Sequence, residues 1–366
     1  MWTRWALGGA LAIVSAAPAQ QVGGAGETKW FRIARDGARE VRFAMRSLAP
    51  EAAQGSALVF AMAETPDERS VERAIEDLAA SLPRDAACTL VGATVPLESF
   101  AAIVEHCSRT FDTAERAHLV GRGDGARDAL CLGLERPASV ASVIALAPSA
   151  LGPEWLQRAG ALACKPVAFV RGQKDDREPM LAVLEPLIEA GSETAWLDFA
   201  STRERVTLRE CEGVVAARWK QFAALERERT EVEARVRGVL TDFHLAASRA
   251  DLDGYVGRLA PDGVFLGTDA RERWNANQFR EFCAPYFARG QGWTYVATER
   301  HVEVSRDRRS AWFDERLAND KYGEVRGSGA LRLDGERWRI VQYVMSFPVP
   351  NELSGELVER VKSRGR

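Results

Sequence analysis

Residues 116–134 read RAHLVGRGDGARDALCLGL. An apolar run breaks at Gly121-Arg122-Gly123-Asp124-Gly125 and resumes at helical spacing, so the stretch reads as a strand, a sharp turn and a helix. Glycines at three alternate positions let the chain reverse tightly and let the strand and helix approach closely. Gly123, at the apex, carries no side chain.

Outward from this turn, short apolar segments alternate with helical patterns. Residues 40–48, 56–63 and 88–95 read as strands, with helices at 70–82 and 97–109. Beyond the turn come strands at 142–147, 165–171 and 194–199, with a helix at 179–190. Strands alternating with helices of roughly a dozen residues predict a parallel, doubly wound sheet over 29–228. Residues 203–249 are charged and helical, and the domain boundary is placed near Glu228. The character then changes. Helical segments at 231–248 and 274–288 frame a strand at 263–268, and four strand-like runs follow at 294–304, 310–317, 324–333 and 337–347. Helices first and consecutive strands afterwards predict an α+β domain with a curved antiparallel sheet over 229–353, followed by a tail at 354–366.

The 366 residues are 46% hydrophobic and 28% charged, enough for two cored domains and too apolar for a disordered chain. A formal charge of −3, with acids and bases interleaved, points away from nucleic acid and from anionic membrane surfaces. Arg4, an apolar run at 5–14 and small residues up to Ala19 read as a secretory signal peptide cleaved after Ala19, with a Gly-rich leader over 20–28. The run is too short to span a bilayer, so an exported chain without a membrane span is expected, periplasmic or extracellular. Export permits disulfides, but Cys88, Cys107, Cys131, Cys164, Cys211 and Cys283 have irregular spacing and no C-x-x-C, and buried free thiols are the plainer expectation.

The order of elements around the glycine turn resembles an α/β-hydrolase over roughly 29–225, a family that carries its nucleophile in G-x-S-x-G at such a turn. In that resemblance Asp175 and Asp176 stand where the triad acid belongs, 198–201 where the histidine belongs, and 61–64 where an oxyanion motif often lies. Only the acid is there. Gly123 replaces the nucleophile, and no histidine lies between Asp176 and Leu225. The resemblance therefore implies the fold and a degenerate elbow at Gly121, Gly123 and Gly125, without the hydrolytic activity. Cys131 lies two helical turns on and Ser149 has no base, so neither substitutes. Gly121-x-Gly123-x-x-Ala126 also matches a dinucleotide fingerprint, but the next strand ends in Pro148-Ser149 without the ribose-binding acid.

Within 239–353, the runs Phe265-Leu266-Gly267-Thr268-Asp269, Gly290-Gln291-Gly292-Trp293-Thr294-Tyr295, Ala311-Trp312-Phe313-Asp314-Glu315 and Phe347-Pro348-Val349-Pro350-Asn351 resemble a SnoaL-like domain of the nuclear transport factor 2-like superfamily. That resemblance implies a cone of helices on a bent sheet, a pocket between them and dimerisation through the sheet. Members include isomerases, cyclases, dehydratases and plain binding modules, so the fold does not fix the function.

Alternation places Trp312, Asp314 and Arg316 on one face and Phe313 and Glu315 on the other, while Glu324, Arg326 and Ser328 share a face of the next strand. The candidate pocket residues are Trp274, His301, Trp312, Asp314, Glu315, Arg326 and Tyr343. Asp314 or Glu315 opposite Arg326 is expected to form a buried or ligand-binding pair, with His301 as a base, Tyr343 as a donor and Trp274 as an apolar wall. The plainer reading of each is a sheet-stabilising or core residue. Metal-binding spacings are absent, and neither metal nor cofactor is expected. The sequence thus points to an exported, non-catalytic binding or scaffold protein, dimeric, with a small apolar or amphipathic ligand in the second domain. The alternative is an isomerase, dehydratase or hydrolase centred on Asp314, Glu315 and His301.

Overall fold

The computed structural model describes residues 26–33, 40–48, 56–83, 86–94, 99–162, 165–172, 175–199, 207–208 and 210–364. The signal-peptide segment, most of the leader, Cys164 and residues 200–201 lie outside these. The chain divides into two compact units, Met1–Glu226 and Arg227–Arg366.

The first unit runs Lys29–Ile33 (β1), Val41–Ser47 (β2), Ser56–Met62 (β3), Glu68–Ser81 (α1), Cys88–Ala93 (β4), Phe100–Phe111 (α2), Thr113–Arg122 (β5), Asp124–Glu135 (α3), Val140–Leu146 (β6), Pro153–Leu156 (α4), Pro166–Gly172 (β7), Glu178–Glu189 (α5) and Glu193–Phe199 (β8). The eight strands lie in the order β1-β2-β4-β3-β5-β6-β7-β8. β2 is antiparallel to both neighbours, and every pairing from β4 through β8 is parallel. Because successive side chains alternate faces, β5 sends Leu119 into one apolar layer, with Ile103 of α2, Leu130 of α3 and Met180 of α5. It sends Val120 into the other, with Val71 and Ile75 of α1 and Val215 and Trp219 of the next helix. A sheet buried on both faces needs the near-continuous apolar strands seen here, such as VASVIAL in β6, buried throughout. β1 went unread from the sequence. It is a five-residue edge strand, KWFRI, whose mixed burial hides any alternation.

Glu212–Ser248 (α6) is one helix of 37 residues, with no break where 203–249 offered no linker signal. Val215, Trp219 and Phe222 belong to the first unit's core, while Val236, Leu240, Phe243 and Ala247 belong to the second's. The latter spacing, i, i+4, i+7, i+11, is one helical face.

The second unit continues with Leu252–Val256 (α7), Leu259–Leu266 (β9), Arg273–Asn275 (β10), Ala276–Phe287 (α8), Val296–Val304 (β11), Ser310–Asn319 (β12), Gly323–Asp334 (β13), Arg337–Ser346 (β14) and Ser354–Arg364 (α9). Its sheet has the order β10-β9-β14-β13-β12-β11, antiparallel except where β14 meets β9. The helix expected from residue 274 begins at Ala276 instead. Asn275 caps it, accepting from the Gln278 N–H at 2.9 Å while the Gln278 side chain accepts from the Asn275 N–H at 3.0 Å. Trp274 is thereby left in β10, paired with Phe265. The segment read as a tail contains α9.

The inward face of this sheet is filled. Tyr343, Phe243, Phe265 and Phe279 interlock, with Phe265 stacked on Phe279 at 4.1 Å and on Tyr343 at 5.4 Å between centroids. Among the described residues no helix is long and apolar enough to cross a membrane.

Candidate functional site

At the glycine turn, β5 ends on Arg122, Gly123 adopts φ 56°, ψ −121°, and α3 starts at Asp124. A side chain rarely tolerates that backbone geometry. The flanking glycines have a different cause. A Cβ on Gly121 would lie 2.5 Å from the Gly125 carbonyl, and one on Gly125 would lie 2.4 Å from the Met62 oxygen. These contacts bring β3, β5 and α3 into direct backbone contact. The Gly123 N–H donates to the Leu146 carbonyl at 3.0 Å, and its own carbonyl accepts from Arg127 and Ser149 N–H.

A Cβ on Gly123 would sit 2.9 Å from Glu64 Oε1. That same oxygen accepts from Arg122 Nε at 2.8 Å and Nη2 at 2.7 Å, so an ion pair stands where a nucleophile would project. Beside it opens a cavity of about 430 Å3 lined by Phe60, Met62, Phe100 and Ile103, with Glu64 and Asp128 at its polar edge.

The other residues considered for the first domain are structural. Asp175 accepts from the Gly172 N–H at 2.9 Å and Asp176 from the Glu178 N–H at 3.1 Å, tying the turn into α5. Cys131 is buried, and burial with the nearby Asp128 charge pushes its thiol up to about 11, far from a reactive thiolate. His118 Nδ1 lies 2.8 Å from Ser142 Oγ inside the sheet. Burial, with the Arg116 charge, pushes its pKa down to about 4. The five described cysteines are free and buried.

The polar centre of the second unit is Glu315 on β12, only 1% exposed. Its Oε1 accepts from the Tyr343 hydroxyl at 2.8 Å and lies 2.8 Å from His244 Nε2; its Oε2 accepts from Arg300 Nε at 2.6 Å. Arg300 stands directly across on β11, and its Nη1 donates to Thr241 Oγ1 at 2.9 Å and to the Arg237 carbonyl at 3.1 Å. Burial alone would raise the Glu315 pKa. The His244 hydrogen bond and charge, the Arg300 charge and the Tyr343 hydroxyl outweigh it and hold the carboxyl below its ordinary range. Burial and the Glu315 charge push the Tyr343 phenol well above its own. Gly327 on β13 makes the bridge between β14 and β12 feasible, since a Cβ there would lie 2.2 Å from the Tyr343 oxygen and 2.9 Å from Glu315 Oε1.

The candidate pocket residues divide between the two faces of the sheet. Glu315 and Tyr343 face inward and meet; Trp274 is half-buried over Phe265. Asp314, His301, Trp312 and Arg326 face outward. The expected pairing of Asp314 or Glu315 with Arg326 does not occur, because the register sets Arg326 opposite Arg316, Asp314 opposite Ser328 and Glu315 opposite Gly327. His301 pairs with Asp314 across β11 and β12, and its Nε2 lies 2.9 Å from Glu299 on its own strand. Trp312, a candidate pocket residue whose plainer reading was core, is neither: it is 49% exposed on the outer face. Sequence reasoning missed His244, Arg300 and Arg237. Their signal was available in part: His244 follows Phe243 on the apolar face of α6, and Arg300 shares the inward parity of Val302 and Val304.

A groove of about 500 Å3 runs between α6 and the start of β11, with His244, Arg237, Tyr295 and Arg300 among its lining. The register of β11 shifts between Ala297 and Glu299, leaving Thr298 as an extra residue along the groove. Such bulges re-aim the side chains that follow.

Residues 236–350 match the SnoaL-like domain family, and this part of the chain is a SnoaL-like domain. A search of curated proteins returns no match. Among solved structures, about a third of the chain is similar to a nuclear transport factor 2-like protein of unknown function from Pseudomonas putida. Identity is 15% over 34% of this chain and 91% of that one, with a TM-score of 0.30. It is also similar to a protein of unknown function from Mycobacterium tuberculosis, 18% identical over 35% and 78% of the two chains, TM-score 0.30. A third similarity is to a provisionally named dipeptidyl aminopeptidase IV from Bacteroides ovatus. It is 11% identical over 54% of this chain, TM-score 0.44, and takes in only 36% of that protein's length.

Proposed function

We propose that the chain is an exported, non-catalytic binding or scaffold protein. Its first domain is an α/β-hydrolase-like unit that does not hydrolyse, and its SnoaL-like domain holds a small ligand and pairs two copies. The observation that carries this reading is Gly123, a turn with the backbone geometry of a nucleophile position and no atom to attack with. The largely parallel sheet around it supports the hydrolase-like lineage. The cavities beside the turn and along α6 support ligand binding, and the pattern of residues 1–19 supports export. An enzyme built on Asp314, Glu315 and His301 is disfavoured, since Asp314 and His301 face away from Glu315 and every oxygen of Glu315 is engaged.

A panel of p-nitrophenyl esters and aminoacyl p-nitroanilides is expected to show no turnover above the uncatalysed rate. Gly123→Ser is expected to remain inactive, because the serine would meet Glu64 rather than a histidine. Turnover by the unmodified chain that a serine or cysteine reagent abolishes sinks this reading. For pairing of copies, the support is Trp312, a large aromatic exposed on the outer sheet face. Trp312→Glu is expected to convert a dimer to a monomer in sedimentation velocity, and an unchanged sedimentation coefficient rejects the sheet as the interface.

A further inference from the structure

We infer that the groove between α6 and β11 takes a small neutral alcohol with an apolar body, whose hydroxyl donates to His244 Nδ1. This rests on the non-catalytic binding reading and names the ligand class that the second domain holds.

That the ligand is neutral follows from the charges. The charged residues of the lining are Arg237, Glu299 and Arg300. Arg300 is matched by Glu315 at 2.6 Å, while Glu299 and Glu324 share Arg316 at 3.1 and 2.7 Å. Glu299 also lies 2.9 Å from His301 Nε2, and Arg237 Nη1 donates to the Arg300 carbonyl at 2.7 Å. The lining and its partners thus hold three carboxylates and three guanidiniums. An ion of either sign would lose hydration on entry and find no uncompensated partner.

The acceptor is His244. Glu315 is held ionised and can only accept, so in the neutral imidazole Nε2 carries the proton that bonds Oε1 at 2.8 Å, and Nδ1 keeps a lone pair. Tyr343 and Arg300, the other polar groups against the ring, are committed to Glu315, so tautomer and ring plane are fixed from behind. No described residue bonds to Nδ1. Unlike Trp219 Nε1, an unpartnered nitrogen sealed in the first unit's core, it reaches solvent, and His244 lines the groove. A ligand that bonds there must bring a donor, which excludes carboxylates, ketones and ethers.

Tyr295 stands beside His244 with ring centroids 6.3 Å apart, and its hydroxyl makes no hydrogen bond among the described residues. Partial burial raises its pKa, so it stays a neutral donor. An alcohol matches this pair of groups, since its oxygen both donates and accepts. Two further hydroxyls of the lining are already committed: Thr298 donates to the Arg316 carbonyl at 3.2 Å and Ser248 to the Leu245 carbonyl at 2.8 Å. Leu245 and Val296, 41% and 57% exposed, give apolar surface for the ligand's body. A volume of about 500 Å3 is that of a small-molecule site.

The test titrates the full chain with benzyl alcohol and with benzyl methyl ether, which has the same ring and an ether acceptor but no O–H. It is run at about pH 8, above the ordinary histidine range, and NMR follows the α6 and β11 amides and the imidazole nitrogens. Saturable binding of the alcohol is expected at about 1–10 mM, with the ether about fivefold weaker or more, the worth of one hydrogen bond. The His244 Nδ1 resonance is expected to shift as that nitrogen accepts, while Nε2 stays in place. Benzoate and benzylammonium are expected to bind more weakly than the alcohol. An ether that binds as well as the alcohol overturns the site, as does a charged probe that binds better, an unmoved Nδ1 resonance or the absence of saturable shifts. Every comparison is made on the unmodified chain, so no variant has to fold. None of the probes has an ester or amide bond to cleave, so failure here removes the alcohol site and leaves the hydrolysis assay as the separate test of the non-catalytic reading.

Discussion

Replacing Glu315 with alanine is expected to destabilise the second unit by about 3–5 kcal/mol, the largest effect of any single polar substitution in it. The magnitude comes from what is left behind. Arg300, 9% exposed at its side chain, would keep a buried charge without its partner, and the Tyr343 hydroxyl and His244 Nε2 would lose their shared acceptor. Each orphaned group bears its own desolvation cost, which is why removing one member of such a cluster costs more than the intact cluster contributes.

Two companion measurements separate charge from shape. Glu315→Gln keeps the volume and one acceptor and is expected to cost less than the alanine change. The unmodified chain is expected to lose stability in acid in a defined window. The folded-state pKa of Glu315 lies below its ordinary value of 4.5, so its contribution is fully present above about pH 4.5 and is lost as the pH falls through the folded value. Urea titrations with amide exchange read on β12 and β14 give both numbers, and they report the second unit alone where a whole-chain transition would mix two units. A loss below about 1 kcal/mol for Glu315→Ala would mean that water replaces the carboxylate at the centre of the network.

In the first unit the largest effect is expected at Gly125→Ala, about 3 kcal/mol and the upper end of the usual range for overpacking. The new methyl would lie 2.4 Å from the Met62 carbonyl oxygen and 3.0 Å from that of Ala63. Both are backbone atoms at the end of a central parallel strand, where neither rotamer change nor a flexible side chain can give way. Gly238→Ala is the control. That glycine sits within α6 with nothing within 4 Å of an added Cβ, and the change is expected to stabilise by about 0.5–1 kcal/mol through helix propensity. Calorimetry of the two variants reads opposite shifts in Tm. A Gly125→Ala protein that melts with the parent would show that α3 can slide away from β3, and the turn would then not be a fixed anchor of the fold.

Much of the architecture was legible because it depends on period. Strands buried on both faces read as unbroken apolar runs and helices as 3.6-residue stripes, so β3 through β8 and the four long strands of the second sheet fall close to their expected spans. β1 escaped because an edge strand of five residues is covered on too few sides to need an apolar pattern. The parity of β12 was also legible: if Phe313 faces inward, so must Glu315. What parity cannot give is register. The expectation that Arg326 would face an acid failed because the hairpin joining β12 to β13 sets Arg326 across from Arg316. His301 failed as a pocket base because the bulge at Thr298 leaves the inward positions of β11 to Arg300, Val302 and Val304.

The sequence by itself determined the two kinds of layer, the glycine turn and the absence of a nucleophile in it, because these follow from local periodicity and from which atoms a residue possesses. Only the tertiary structure decided that Glu315 meets His244 and Arg300, and Tyr343 across the gap at Gly327, and that an ion pair of Arg122 and Glu64 fills the place beside Gly123. Those partners lie 71, 15, 28 and 58 positions apart along the chain. At such separations no periodic signal relates two residues; strand register and helix packing alone bring their atoms within hydrogen-bonding distance.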